Sequence, residues 1–105
     1  VFVQLARACA VSIRYLTLIK FTDEGVRHAA NSVKRAEEFR AAVEATGGTV
    51  VNTYWAVGSY DGCVTFDAPD EKTATKLLIK LAQQGFVRTK TLRVFEANEF
   101  ADAVG

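Results

Sequence analysis

Two stretches of helical spacing, each held between stretches that alternate, constrain this chain more than any other feature. Val33, Ala36, Phe39 and Val43 recur at intervals of three and four, and so do Ala74, Leu77, Leu78, Leu81 and Ala82. Both patterns put one apolar stripe on a helix. Around them lie four segments rich in β-branched and aromatic residues: 13–21, 49–57, 60–67 and 86–96. These read as strands. Gly58-Ser59 leaves a link too short for anything but an antiparallel pair between the middle two. The order is βαββαβ, a ferredoxin-like arrangement of the α+β class. It predicts a four-stranded antiparallel sheet with two helices on one face.

Punctuation agrees with the pattern. Thr22 starts a short helical turn through His28, and Asn31 or Ser32 caps a helix over about 33–46. Lys34/Glu38 and Arg40/Glu44 sit at i,i+4 on its wet side. Gly47-Gly48 closes it. Asp70 caps the second helix, Gly85 ends it, and a last helical turn follows over 97–103.

At 105 residues the chain is one domain, placed over 13–105, and folding buries roughly 65% of the unfolded surface. Residues 1–12 form an N-terminal extension, read as a loose tail, with an edge strand or swapped arm as the alternative. The sequence holds no Met, which prompts the expectation of a natural start inside the extension, at Val11. Gln4 and Arg7 interrupt the apolar residues there, against a secretory signal. No run of about 20 apolar residues occurs, so the expectation is a cytoplasmic protein away from membranes.

Helices cover one sheet face only, yet the strands are apolar on both. Leu16 and Leu18 alternate with Tyr15, Thr17 and Ile19, and Tyr54 adjoins Trp55. A second copy is the expected cover, giving a homodimer or higher even oligomer that closes a dimeric α/β barrel. Its interior would be lined by Tyr15, Thr17, Cys63, Thr65 and Arg93. The alternative is a monomer with a few exposed aromatics. Which face carries Tyr54 and which Trp55 stays open, because a bulge near Gly58 or Gly62 reverses the alternation.

Chemistry is sparse. One His and two Cys are too few for a metal site, and no phosphate loop or Gly-x-Gly-x-x-Gly occurs, so neither metal nor cofactor is expected. In Ser59–Phe66, Gly62, Val64 and Phe66 match an RNA-binding strand, but its basic residue and both central aromatics are missing, Asp61 repels phosphate and the net charge is only +1, so nucleic acid is not expected. Weak catalytic candidates are Asp61 and Tyr60, or His28 at a cavity rim. Structural roles outweigh them: Asp61 accepting backbone N–H groups, His28 on an exposed helix. Tyr15, Thr17, Tyr54, Trp55, Tyr60 and Arg93 are the candidate ligand-binding residues, suited to a small aromatic or anionic compound.

The segments Tyr15–Gly25, Lys34–Phe39, Tyr54-Trp55 and Gly58-Ser59-Tyr60-Asp61-Gly62 resemble the GYD-domain proteins, small bacterial and archaeal chains named for Gly-Tyr-Asp. Phe66–Asp70 and Val87–Arg93 fit as well, so the likeness spans about residues 13–100. It implies a ferredoxin-like protomer of the dimeric α/β-barrel group. Fold relatives there include cofactor-free monooxygenases, lactone isomerases and ligand-sensing domains. The His, Trp and Asn set of the monooxygenases is unmatched, with only Trp55 suggestive. Two functions follow: a small-molecule binder or cofactor-free enzyme with its site between paired sheets, or a non-catalytic interaction module. A polar-studded cavity of several hundred Å³ between the sheets favours the first, and a filled, dry interior the second.

Overall fold

A computed structural model describes residues 12–105. The reading of residues 1–12 as a tail, and of a start at Val11, falls outside them except for Ser12. The elements run β1 (Ile13–Phe21), α1 (Asp23–Arg27), a 3-10 turn (Ala29–Asn31), α2 (Ser32–Ala45), β2 (Thr49–Trp55), β3 (Gly62–Ala68), α3 (Glu71–Gln83), β4 (Val87–Arg93) and α4 (Ala97–Val104). The strands form one antiparallel sheet in the order β2-β3-β1-β4. The expected α+β arrangement is therefore present in the chain. Among the described residues no helix is long and apolar enough to cross a membrane.

Register fixes the faces, because residues directly opposite one another in a sheet point the same way. Three rows cross the covered face: Trp55-Gly62-Ile19-Thr89, Thr53-Val64-Thr17-Thr91 and Val50-Phe66-Tyr15-Arg93. α2 and α3 lie over this face. Phe66 is fully buried at its centre, with Tyr15 stacked on it at 5.7 Å and Phe39 edge-on at 5.5 Å. Val43, Ala68, Ala74 and Leu77 complete the packing. Thr17, also fully buried, shares a 2.9 Å hydrogen bond between hydroxyls with Thr91, so its polar atom is satisfied.

Several sequence expectations shift in detail. β2 and β3 are joined by residues 56–61, not by a two-residue turn. The loop holds because Ala56 N donates to Asp61 O and Asp61 N to Ile19 O, both at 2.8 Å. The alternation reverses at Val51, between Val50 and Asn52, not at a glycine of the loop. β4 is shorter than the predicted 86–96. On α2, Ala36, Phe39 and Val43 face inward as expected, but Val33 is exposed, and Ser32 and Arg35 line a cleft at the start of the stripe. Asn31 stands at the cap of α2 but its side chain caps nothing. Arg40 meets Glu37, one turn back, at 4.0 Å.

Arg14 ties the chain's far end to the sheet. Its Nε and Nη2 donate to the two carboxylate oxygens of Asp67 at 2.7 and 3.0 Å, and its Nη1 to Glu96 at 2.7 Å. Glu96 opens α4 as one half of a reciprocal capping pair with Glu99. A bidentate fork is the strong form of this contact, and the Asp67 hydrogen bonds push the Arg14 pKa further upward. The group is partly solvated, which discounts its worth. Arg14→Gln is expected to cost about 1 kcal/mol in urea unfolding and to fray α4 first in hydrogen exchange.

Asp70 caps α3 by accepting from Thr73 N at 2.7 Å, as predicted. That bond holds its carboxyl below the ordinary 3.8. A depressed folded pKa gives stability that is full above the unfolded value and lost as pH falls through the folded one. The Tm gap between the wild-type chain and Asp70→Ala is therefore expected to be widest near neutrality and to shrink below about pH 4, by thermal melts across that range.

Candidate functional site

Two surfaces are left after the core is assigned. One is a cleft between the covered face and the helices, where α2 begins and α3 ends. The other is the open face of the sheet.

The cleft has a volume of about 70 Å³. Phe39, Val64, Leu81, Phe86 and the methyl of Ala36 make its walls largely apolar. Trp55 reaches it because β2 ends on the covered face, and its indole N–H donates to Ser32 Oγ at 2.9 Å. Arg35 lies with its guanidinium carbon 4.3 Å from the Phe86 ring centre, a cation–π contact. Its Nη1 donates to His28 O at 3.2 Å. Its Nη2 is buried with no hydrogen-bond partner among the described residues. Asp61 lines the same cleft, with Oδ2 accepting from Phe21 N at 2.8 Å.

The open face carries two rows, Tyr54-Cys63-Leu18-Lys90 and Asn52-Thr65-Leu16-Leu92, with Arg14 and Asp67 beyond. Tyr54 is 61% exposed and Leu92 50%. Lys20, whose Nζ donates to Ser59 O at 3.0 Å, and Arg88 sit at one end. Apolar side chains thus hold the centre of this face and cations stand toward one end.

The residues expected at the site divide between these surfaces. Trp55 and Asp61 line the cleft; Tyr54 borders it along β2 but belongs to the open face. Tyr60 lies apart, in an open depression of about 230 Å³ lined also by Lys20, Ser59, Arg88, Thr89 and Lys90. Tyr15, Thr17 and Arg93 do not share a face with Cys63 and Thr65, so these five cannot line one interior between paired sheets. Tyr15 and Thr17 belong to the core because the helices cover their side of β1, and burial pushes the Tyr15 hydroxyl pKa upward. Arg93 covers the Phe95 ring at 4.2 Å. His28 is half exposed, with Nε2 3.4 Å from Glu24 and its ring edge-on to Phe86.

Arg35, Phe86 and Gln84 were not singled out by sequence. The signal was there: Arg35 precedes Phe39 by four and follows Ser32 by three, on the rim of the α2 stripe. A solvated helix face explained the charge equally well until the register of the stripe was known.

Asp61 holds β1 to the loop through Phe21 N, a bond that asparagine can also accept. Asp61→Ala is expected to lower stability by about 1 kcal/mol and Asp61→Asn by less than about half of that, measured by urea unfolding. A large loss in both would mean that the charge, not the hydrogen bond, holds the turn.

Comparisons with known proteins agree with the fold and the signature. A Thermus thermophilus protein named "Glutamine synthetase and cystathionine beta-lyase binding protein" is 31% identical over 91 residues, covering 86% of this chain and 93% of its own. The crystal structure of MtbAldR aligns with a TM-score of 0.65 and 11% identity, over 84% of this chain and 56% of that one. This chain thus spans a little over half the length of that protein, and the likeness is one of fold. Residues 15–104 match the GYD domain. The chain belongs to the GYD domain family.

Proposed function

We propose that this chain is a non-catalytic protein-binding module that docks on a larger metabolic enzyme through the open face of its sheet. The observation that carries the reading is the relative named for binding glutamine synthetase and cystathionine β-lyase, similar over nearly its whole length. The open face supports it. Leu16, Leu18 and Leu92 form an apolar centre beside Tyr54, and Lys20, Arg88 and Lys90 supply a cationic rim. Tyrosine is enriched where binding energy concentrates, and rim cations speed encounter with an acidic partner.

The catalytic alternative is less supported. Asp61 spends one carboxylate oxygen on Phe21 N, and Tyr60 sits outside the cleft. The cleft is also far smaller than the several hundred Å³ of an ordinary substrate pocket. A second copy of this chain is the other occupant of the open face, and the two are separated by mass. Light scattering behind size exclusion is expected to show the chain co-eluting with glutamine synthetase or cystathionine β-lyase from its own source. Leu92→Asp, on the edge strand and half exposed, is expected to weaken that capture at least about tenfold with little change in Tm, as a charge forced against an apolar contact should. Equal capture by the variant moves the docking surface elsewhere. A dimeric chain that the same substitution turns monomeric assigns the face to self-association.

A further inference from the structure

The cleft combines features that the docking reading does not use. Its walls are apolar, yet it holds one cation and one anion. Arg35 takes part in none of the ion pairs among the described residues. Its Nη2 is buried and lacks an acceptor, which is costly for a guanidinium donor. Asp61 has committed Oδ2 to Phe21 N, which leaves Oδ1 for a further donor. A lone anion in this cleft would meet Arg35 but be repelled by Asp61. A lone cation would meet the reverse. A molecule carrying both charges on adjacent carbons, with an apolar remainder, answers all three features at once.

We infer that the cleft binds a small apolar α-amino acid as its zwitterion. The carboxylate pairs with Arg35 and the ammonium with Asp61, while the side chain packs against Phe39, Val64 and Phe86. Size agrees. A volume of about 70 Å³ suits a branched aliphatic side chain better than an aromatic one. Trp55 lines the same cleft, and one exposed hydrogen bond holds its indole to Ser32. The inference does not rest on the docking reading: either can fail alone.

The single tryptophan of the chain stands at the mouth, so its emission reports on occupancy. The test is a fluorescence titration of the full chain with L-valine, and with isovalerate and isobutylamine, which each carry one of the two charges. L-valine is expected to give a saturable change below about 10 mM and each single-charge analogue to bind at least about tenfold more weakly. Arg35→Gln is expected to lose valine binding by a similar factor. Asp61→Asn, which keeps the acceptor for Phe21 N, should lose it too. Ala36→Leu keeps both charges but fills the cleft, and is expected to abolish the response; circular dichroism confirms that each variant is folded. The inference is overturned if valine gives no saturable change, if isovalerate binds as tightly as valine, or if Arg35→Gln or Asp61→Asn binds within about twofold of the wild-type chain.

Discussion

The bulge at Val51 decides what each side of this sheet presents. Side chains alternate strictly along a regular strand, so one inserted residue exchanges the faces of everything that follows. Val50 lies over Phe66 on the covered side, and after the bulge Thr53 and Trp55 lie there too, with Asn52 and Tyr54 on the open side. Without the insertion Trp55 would sit on the open face, away from Ser32 and Arg35, and Tyr54 would enter the core. With it, Trp55 lines the cleft, and Tyr54 stands on the open face. Both follow from a single irregularity in β2.

The Gly-Ser-Tyr-Asp-Gly segment works chiefly as a scaffold. Asp61 meets β1 through its backbone N–H to Ile19 O and through its carboxylate to Phe21 N, and meets β2 by accepting from Ala56 N. Gly62 then brings β3 close to β2: a Cβ there would stand 2.6 Å from Tyr54 O, inside any tolerable contact. Gly58 adopts a φ of 150°, at the edge of the range that other residues avoid. A loop pinned on both sides in this way holds Asp61, a lining residue of the cleft, in a fixed place. Scaffold and chemistry are thus not competing accounts of Asp61, because the first supplies the preorganisation that the second requires.

Element order and the main boundaries were legible because local signals agree with the global fold. β1 spans the predicted 13–21, Asp70 caps α3, and Thr22 caps α1 through Gly25 N. What could not be read was facing. Ala36, Phe39 and Val43 face inward as their spacing says, but in the first turn of α2 Ser32 and Arg35 line the cleft and Val33 faces out. Nor does Val51 differ chemically from the valine before it, so nothing marks which of the two is the extra residue. Assigning Tyr15, Thr17 and Arg93 to an interior between sheets failed on this point: their alternation was correct, and the face that the helices chose was not fixed by it. A long-range contact between α2 and β2 settles both, and no local pattern encodes it.

Cleft and open face lie on opposite sides of the sheet, but consecutive residues serve them. Trp55 closes the cleft, and Tyr54 projects from the open face. Adjacency alone does not couple them, since a ligand shifts a second equilibrium only by its differential affinity for two states. A molecule that fits beneath Trp55 without disturbing it leaves Tyr54 where it was. One that must keep the indole off Ser32 acts on the last residue of β2, next to the tyrosine. The ladder resists that movement: Tyr54 is paired with Cys63, and the bond from Ala56 N to Asp61 O closes the strand end immediately beyond. Coupling between the two surfaces therefore depends on whether that end yields as a unit, and the Ala56–Asp61 bond is where its stiffness resides.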